Sequence, residues 1–179
     1  MSENIRVMIP EDEVDARINE LGRIITEETK GDELHLICVL KGGAFFMCEL
    51  AKRINKKVTL DFMSVSSYGA GTSSSGVVKI VKDLDEPLEG KDVLIVEDII
   101  DSGRSLAYLV EILKSRNPGR LRICTLLDKP ERRRSGVTVK PDYVGFVIPN
   151  EFVVGYGLDY REQYRNLPYV GILKPEAYL

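Results

Sequence analysis

The segment V-L-I-V-E-D-I-I-D-S-G-R-S-L, residues 93–106, constrains the chain more than any other. Val93, Leu94, Ile95 and Val96 form an aliphatic run suited to a strand buried on both faces, and the run ends in Glu97-Asp98. Asp101-Ser102-Gly103-Arg104-Ser105 then leads to Leu106, Leu109, Val110 and Leu113, which recur at helical spacing. Strand, acidic end, glycine turn and amphipathic helix together make one βα unit of a parallel sheet.

The rest of the chain repeats the alternation. Pro10 followed by Glu11, Asp12 and Glu13 opens a helix, because proline suits a first turn and acids suit the positive end of the helix dipole. Val14, Ile18, Leu21 and Ile25 carry its buried face, and Gly31 is expected to end it. Residues 34–40 read as a strand, Lys41-Gly42-Gly43 as a turn and residues 44–54 as a helix. Residues 58–65, 77–81, 121–127 and 143–148 read as strands, and 152–156 and 169–173 as short apolar pieces. The expectation is an α/β fold with a mostly parallel sheet flanked by helices. Such sheets bind ligands beyond the carboxyl ends of their strands.

The chemistry therefore belongs at the ends of these strands. Backbone N–H groups at a helix N-terminus have no acceptor within the helix and attract anions. Gly103 permits close approach to such an anion, and Ser102 and Ser105 add hydroxyl donors, so the loop suits a phosphate. Glu97 and Asp98 stand beside it, within reach of sugar hydroxyls or Mg²⁺. A capped helix behind a strand, with its acids solvated, is the plainer alternative. No G-x-x-x-x-G-K-[ST] occurs, and no G-x-G-x-x-G follows a strand, which speaks against P-loop and dinucleotide sites.

Composition narrows the partners. The formal net charge is −3 over 179 residues, so no overall attraction to nucleic acid or anionic lipid is expected. Cys38, Cys48 and Cys124 stand in apolar surroundings with no C-x-x-C pair, which disfavours a disulfide framework or a zinc site and fits a reducing cytoplasm. They are expected to be buried small hydrophobes. The start of the chain lacks the basic and apolar regions of a signal peptide, and the charge-free residues 62–78 hold too much Ser and Gly to span a membrane. His35 is the only histidine and sits in an apolar strand, where a structural role is expected.

Residues 93–106 resemble the phosphoribosyl-pyrophosphate motif of the purine phosphoribosyltransferases. Other segments are similar to the hypoxanthine (hypoxanthine-guanine) branch of that family. They are V-L-K-G-G at 39–43, S-S-Y-G at 66–69, L-L-D-K-P at 126–130 and P-D-Y-V-G-F-V-I-P-N-E-F-V-V-G-Y-G-L-D-Y-R-E-Q-Y-R at 141–165. The matches keep family order from about residue 34 to residue 173. Arg104 and Ser105 depart mildly, since some members carry Lys and Thr there.

The resemblance implies a type I phosphoribosyltransferase fold over residues 1–179, with a core of about 34–148 and a small hood built from the two chain-terminal segments. It makes Asp101 the general base or acid that manages the purine proton, where an N-cap carboxylate is the structural alternative. It gives the phosphoribosyl group Glu97, Asp98, Asp101, Ser102, Gly103, Arg104 and Ser105, and the metal, Mg²⁺, Glu97, Asp98 and Asp159. It gives the purine Lys129, Phe152, Val153 and Asp159, against the alternatives of a surface lysine, core packing and a turn residue. Lys41, Gly42 and Arg165 would hold diphosphate, with the Leu40–Lys41 peptide cis in some members. Ser67 and Tyr68 would begin a mobile loop whose Ser- and Gly-rich composition suits a lid.

The implied activity is purine salvage: hypoxanthine, and guanine too, plus 5-phospho-α-D-ribose 1-diphosphate give IMP or GMP and diphosphate. The implied setting is a cytoplasmic homodimer or homotetramer with small-molecule substrates. Two rivals remain. A xanthine-preferring transferase would differ in a few pocket residues. An RNA-binding regulator on the same scaffold would use Lys114, Arg116, Arg120, Arg122, Lys129, Arg132, Arg133 and Arg134, although that stretch lacks interleaved aromatics. Arg132, Arg133 and Arg134 themselves read as a solvated turn or an oligomer contact.

Overall fold

A computed structural model describes residues 4–67 and 78–178 of the chain. In order, the elements are β1 (Ile5–Ile9), α1 (Glu11–Glu28), β2 (Glu33–Leu40), α2 (Ala44–Ala51), β3 (Lys57–Ser67), β4 (Val78–Lys82), β5 (Asp92–Ile100), α3 (Arg104–Lys114), β6 (Arg120–Asp128), β7 (Tyr143–Val147), β8 (Val153–Val154) and β9 (Val170–Leu173).

One sheet runs in the order β4-β3-β2-β5-β6-β7. Its pairings are parallel except for the β3–β4 edge, which is antiparallel. The aliphatic runs read from the sequence are its centre: Leu36, Ile37, Leu94, Ile95 and Val96 are fully buried. Each such side chain contributes about 1.5–3 kcal/mol by leaving water. Helices cover both faces. Val14, Ile18, Leu21 and Ile25 of α1 and Phe46, Met47 and Leu50 of α2 share one core cluster with Leu36 and Leu94. Leu106, Leu109 and Leu113 of α3 form a second cluster with Ile37, Val93 and Ile95. The split follows strand alternation, which sends successive side chains to opposite faces.

A smaller sheet, β1-β9-β8, is antiparallel and joins the two ends of the described chain. It is the expected hood. Most boundaries shift by one or two residues, and three differ by more. Helix α1 stops at Glu28, because Thr29 is extended and its N–H and hydroxyl both donate to the Ile25 carbonyl. Helix α2 stops at Ala51. Strand β5 continues past Glu97-Asp98 to Ile100, because Ile99 and Ile100 still pair with β6. Cys38 and Cys124 are buried as expected, whereas Cys48 lies on the exposed face of α2.

Candidate active site

Strand order fixes where the site forms. From β2 the chain passes through α2 to β3 on one side, and from β5 it passes through α3 to β6 on the other. Connections leaving in opposite directions open a crevice between the carboxyl ends of β2 and β5. Lys41-Gly42 and Glu97-Asp98 stand at that crevice, and the Leu40–Lys41 peptide is cis. The Asp98 carboxylate packs directly on Gly42, where a Cβ would lie 1.8 Å from Asp98 Oδ2. Gly157 closes from the other side: its φ is +100°, and a Cβ there would lie 2.1 Å from the Gly42 carbonyl oxygen. Three segments distant in sequence thus meet where no side chain larger than hydrogen fits.

Next to this contact, residues 101–103 turn into α3. Gly103 takes the left-handed conformation, φ +76°, and caps the helix without a side-chain bond. Asp101 is therefore not the N-cap. Its carboxylate instead accepts from Arg132 Nε at 2.9 Å. Arg133 donates to the Asp101 carbonyl at 2.7 Å and the Ile100 carbonyl at 3.2 Å, and pairs with Asp128. The Arg134 N–H donates to the Ser102 carbonyl. Ser102 is partly buried and Ser105 exposed. Arg104 lines a groove of about 610 Å³ with Tyr108 and Glu111, beside residues 136–140.

Lys129, the residue after β6, is almost fully buried, at 7 % exposure, and its N–H donates to the Ile100 carbonyl. Burial holds its ammonium below the usual lysine range, partly countered by the charge of Asp101. Among the described residues no carboxylate forms an ion pair with it. Val153 is buried in the main core, while Phe152 is 39 % exposed. Asp159 pairs with Arg165 at 3.0 Å and accepts the Glu162 N–H. Arg165 also donates to the Gly157 carbonyl at 2.7 Å and to Glu162 at 3.1 Å. Lys41 reaches Glu162 at 2.6 Å.

The acids near the end of β5 are half-buried. Burial, reinforced by the charge of Asp98, pushes the Glu97 carboxyl well above the usual range. Burial raises Asp98 too; the N–H of Ile99 and the charge of Arg165 oppose this, and the charge of Asp159 adds to it. Asp98 and Asp159 are thus electrostatically coupled. Among the described residues, Glu97, Asp98 and Asp159 do not close into a cluster of three metal-ligating side chains. Mg²⁺ does not need one, since it binds through one or two carboxylates together with waters and substrate oxygens. The donor set suits it.

Several placements correct the sequence reading. Arg132 pairs with Asp101, and Arg133 bonds the Ile100 and Asp101 carbonyls and Asp128, so these two are not a merely solvated turn. Arg116 pairs with Asp83, Arg122 is buried against Asp92 and Tyr143, Arg120 donates to the Glu28 carbonyl and Lys114 pairs with Glu111. The basic stretch is thereby divided among separate local partners. His35 bonds Thr59 through Nδ1, while its buried Nε2 has no hydrogen-bond partner among the described residues. Tyr68 lies outside the described residues; Ser67 ends β3. Glu162 was not legible as a site residue, and no local pattern marks it.

Residues 11–161 match the phosphoribosyl transferase domain family. The chain is 59% identical over 173 residues to the bifunctional protein TilS/HprT of Listeria innocua, covering 97% of this chain and 26% of that protein. It therefore spans about a quarter of that relative's length. It is 54% identical over 173 residues to the hypoxanthine-guanine phosphoribosyltransferase of Lactococcus lactis, covering 97% and 93% of the two chains. The crystal structure of a hypoxanthine phosphoribosyltransferase from Staphylococcus aureus superposes with a TM-score of 0.94 at 50% identity, covering 98% and 95%.

Proposed function

Because the chain belongs to the phosphoribosyl transferase domain family, we propose that it transfers the 5-phosphoribosyl group from 5-phospho-α-D-ribose 1-diphosphate to N9 of hypoxanthine, and of guanine, giving IMP or GMP and diphosphate. The observation that carries the choice of base is Lys129: a buried ammonium with no carboxylate ion pair among the described residues, held just after β6 beside the Asp101 loop. An ammonium has only donors, so it selects a 6-oxo purine over a 6-amino purine. The similarity to hypoxanthine-guanine phosphoribosyltransferases supports the same reading.

In this proposal the 5-phosphate rests at the N-terminus of α3, contacted by residues 101–105, where the positive end of the helix dipole favours an anion. Lys41, Gly42 and Arg165 take the diphosphate. The base lies against Phe152 and Val153, with its 6-oxo group on Lys129. As the N9–C1′ bond forms and the C1′–O bond to diphosphate breaks, the ribose passes through an oxocarbenium-like state. The proton on the purine imidazole ring passes to the Asp101 carboxylate, which leaves Arg132 as it does so. Asp98 and Asp159, with Glu97 behind them, are the residues that would hold Mg²⁺, which supplies neutralisation of the departing diphosphate charge. The proposal includes a cytoplasmic homodimer or homotetramer, as the resemblance implies. Among the described residues no helix is long and apolar enough to cross a membrane.

A spectrophotometric assay of hypoxanthine, guanine, xanthine and adenine with the phosphoribosyl donor and Mg²⁺ tests the proposal. Turnover of the first two and none of adenine is expected. Preference for xanthine, or no turnover, overturns it.

A further inference from the structure

Phe152, which the proposed function sets against the purine, is an exposed aromatic ring, and an unsupported ring would sample several rotamers. Two tyrosines restrict it. Tyr178 stacks on it with centroids 5.0 Å apart and planes inclined at 29°. Tyr160, the residue after Asp159, meets it edge-on at 5.8 Å. Tyr160 and Tyr178 also meet each other at 6.4 Å, so the three rings form one closed cluster. Offset stacks and edge-to-face contacts are the arrangements aromatic quadrupoles favour.

The backbone fixes Tyr178 in this place. The Lys174 N–H donates to the Asn4 carbonyl, and a 3-10 turn over Pro175–Ala177 follows, in which the Ala177 and Tyr178 N–H groups return to the Lys174 and Pro175 carbonyls. The Leu173 N–H donates to the Phe152 carbonyl, so the strand that leads to the turn also holds the backbone of Phe152. Strand alternation separates two roles on β8. Val153 packs into the main core, whereas Val154 joins a hood cluster with Ile5 and Leu173, against which Tyr160 and Tyr178 pack. Phe152 shares the side of Val154. With both tyrosines in place it keeps 39 % exposure, so part of the ring remains open to a ligand.

We propose that Tyr178 is a positioning residue for the purine: it backs Phe152 from the hood, so that the open part of the Phe152 ring presents a fixed surface to the flat base. The inference rests on the proposed function, since it requires Phe152 to receive a purine. It assigns to the hood a part in base affinity, and it gives the segment after β9 a reason to fold back on the site.

Steady-state kinetics of the wild type, Tyr178→Ala, Tyr178→Leu and Tyr178→Phe test it. Tyr178→Ala is expected to raise the KM for hypoxanthine about two- to tenfold, the range of one aromatic contact. kcat and the KM for the phosphoribosyl donor should stay near wild type. Tyr178→Phe keeps the ring and should restore the purine KM, whereas Tyr178→Leu keeps apolar bulk alone and should not. An unchanged purine KM in Tyr178→Ala or Tyr178→Leu overturns the proposal. So does a lowered purine KM, which would mean that the Tyr178 ring occupies the base's own place, and so does a Tyr178→Phe variant as impaired as Tyr178→Ala. A wild type that turns over no purine overturns the proposed function and this inference with it. A wild type that turns over while the variants keep its purine KM overturns this inference alone.

Discussion

Lys41 Nζ donates to Glu162 Oε2 at 2.6 Å, while the other oxygen of the same carboxylate accepts from Arg165 at 3.1 Å. One carboxylate thus bridges two cations contributed by segments more than a hundred residues apart. Those cations are the ones assigned above to diphosphate. Glu162 and its neighbour Arg161 both hold left-handed backbone, φ +64° and +51°, which is uncommon for such residues and sets the loop's course.

Under the proposed function, diphosphate displaces this internal anion. Glu162→Gln removes the competing charge and keeps the side-chain shape. It is expected to tighten diphosphate binding about two- to fivefold, the scale of an exposed ion pair. Calorimetric titration with magnesium diphosphate checks this. Unchanged or weaker binding would show that Glu162 orients the cations and does not compete for them.

Asp101→Asn keeps the size and acceptor capacity of the side chain but cannot take the purine proton. kcat should fall about 10²–10⁴-fold, the usual contribution of a positioned acid or base. Nucleotide affinity should change little, because the phosphate contacts remain. A variant with kcat within about twofold of wild type would remove Asp101 from proton transfer.

Lys129→Ala should lower kcat/KM for hypoxanthine about 10- to 100-fold, the scale of a lost charge-assisted hydrogen bond. Adenine discrimination should erode without reversing, since backbone groups near Val153 share the contact. Measuring kcat/KM for both bases in both proteins decides the point. If hypoxanthine activity and base preference are unchanged, the buried ammonium serves the fold.

His35 predicts a pH-dependent stability. Burial, reinforced by the charge of Lys91 and opposed by those of Asp61 and Glu86, holds the imidazole below its ordinary value of 6.5. The unfolded chain therefore binds more protons than the native one just below pH 6.5, and stability falls as pH is lowered through that window. Asp61 acts lower on the scale. Although its burial opposes ionisation, the N–H groups of Asp85, Glu86 and Phe62 hold it below its ordinary 3.8, so its contribution is lost only in stronger acid. Thermal melts between about pH 7 and pH 5 should show a falling midpoint in the wild type and a smaller fall in His35→Gln. Equal slopes would remove His35 as the cause.

The sequence by itself determined the alternation of strands and helices, the acids after the aliphatic run of β5, the glycine turn before α3 and the family resemblance. These are local: a buried strand needs an unbroken aliphatic run, a helix needs its 3.6-residue stripe, and a turn needs glycine. Only the tertiary structure decided who meets whom. Nothing in the run Arg132-Arg133-Arg134 shows that the first two bind the Asp101 loop, nor in Glu162 that it bridges Lys41 and Arg165. Nothing in Tyr178 points to Phe152, since that contact requires β9 to lie between β1 and β8. Periodicity reports which face of an element is buried. Partners across the crevice depend on strand order and on how closely backbones approach at Gly42 and Gly157, which the folded chain alone brings together.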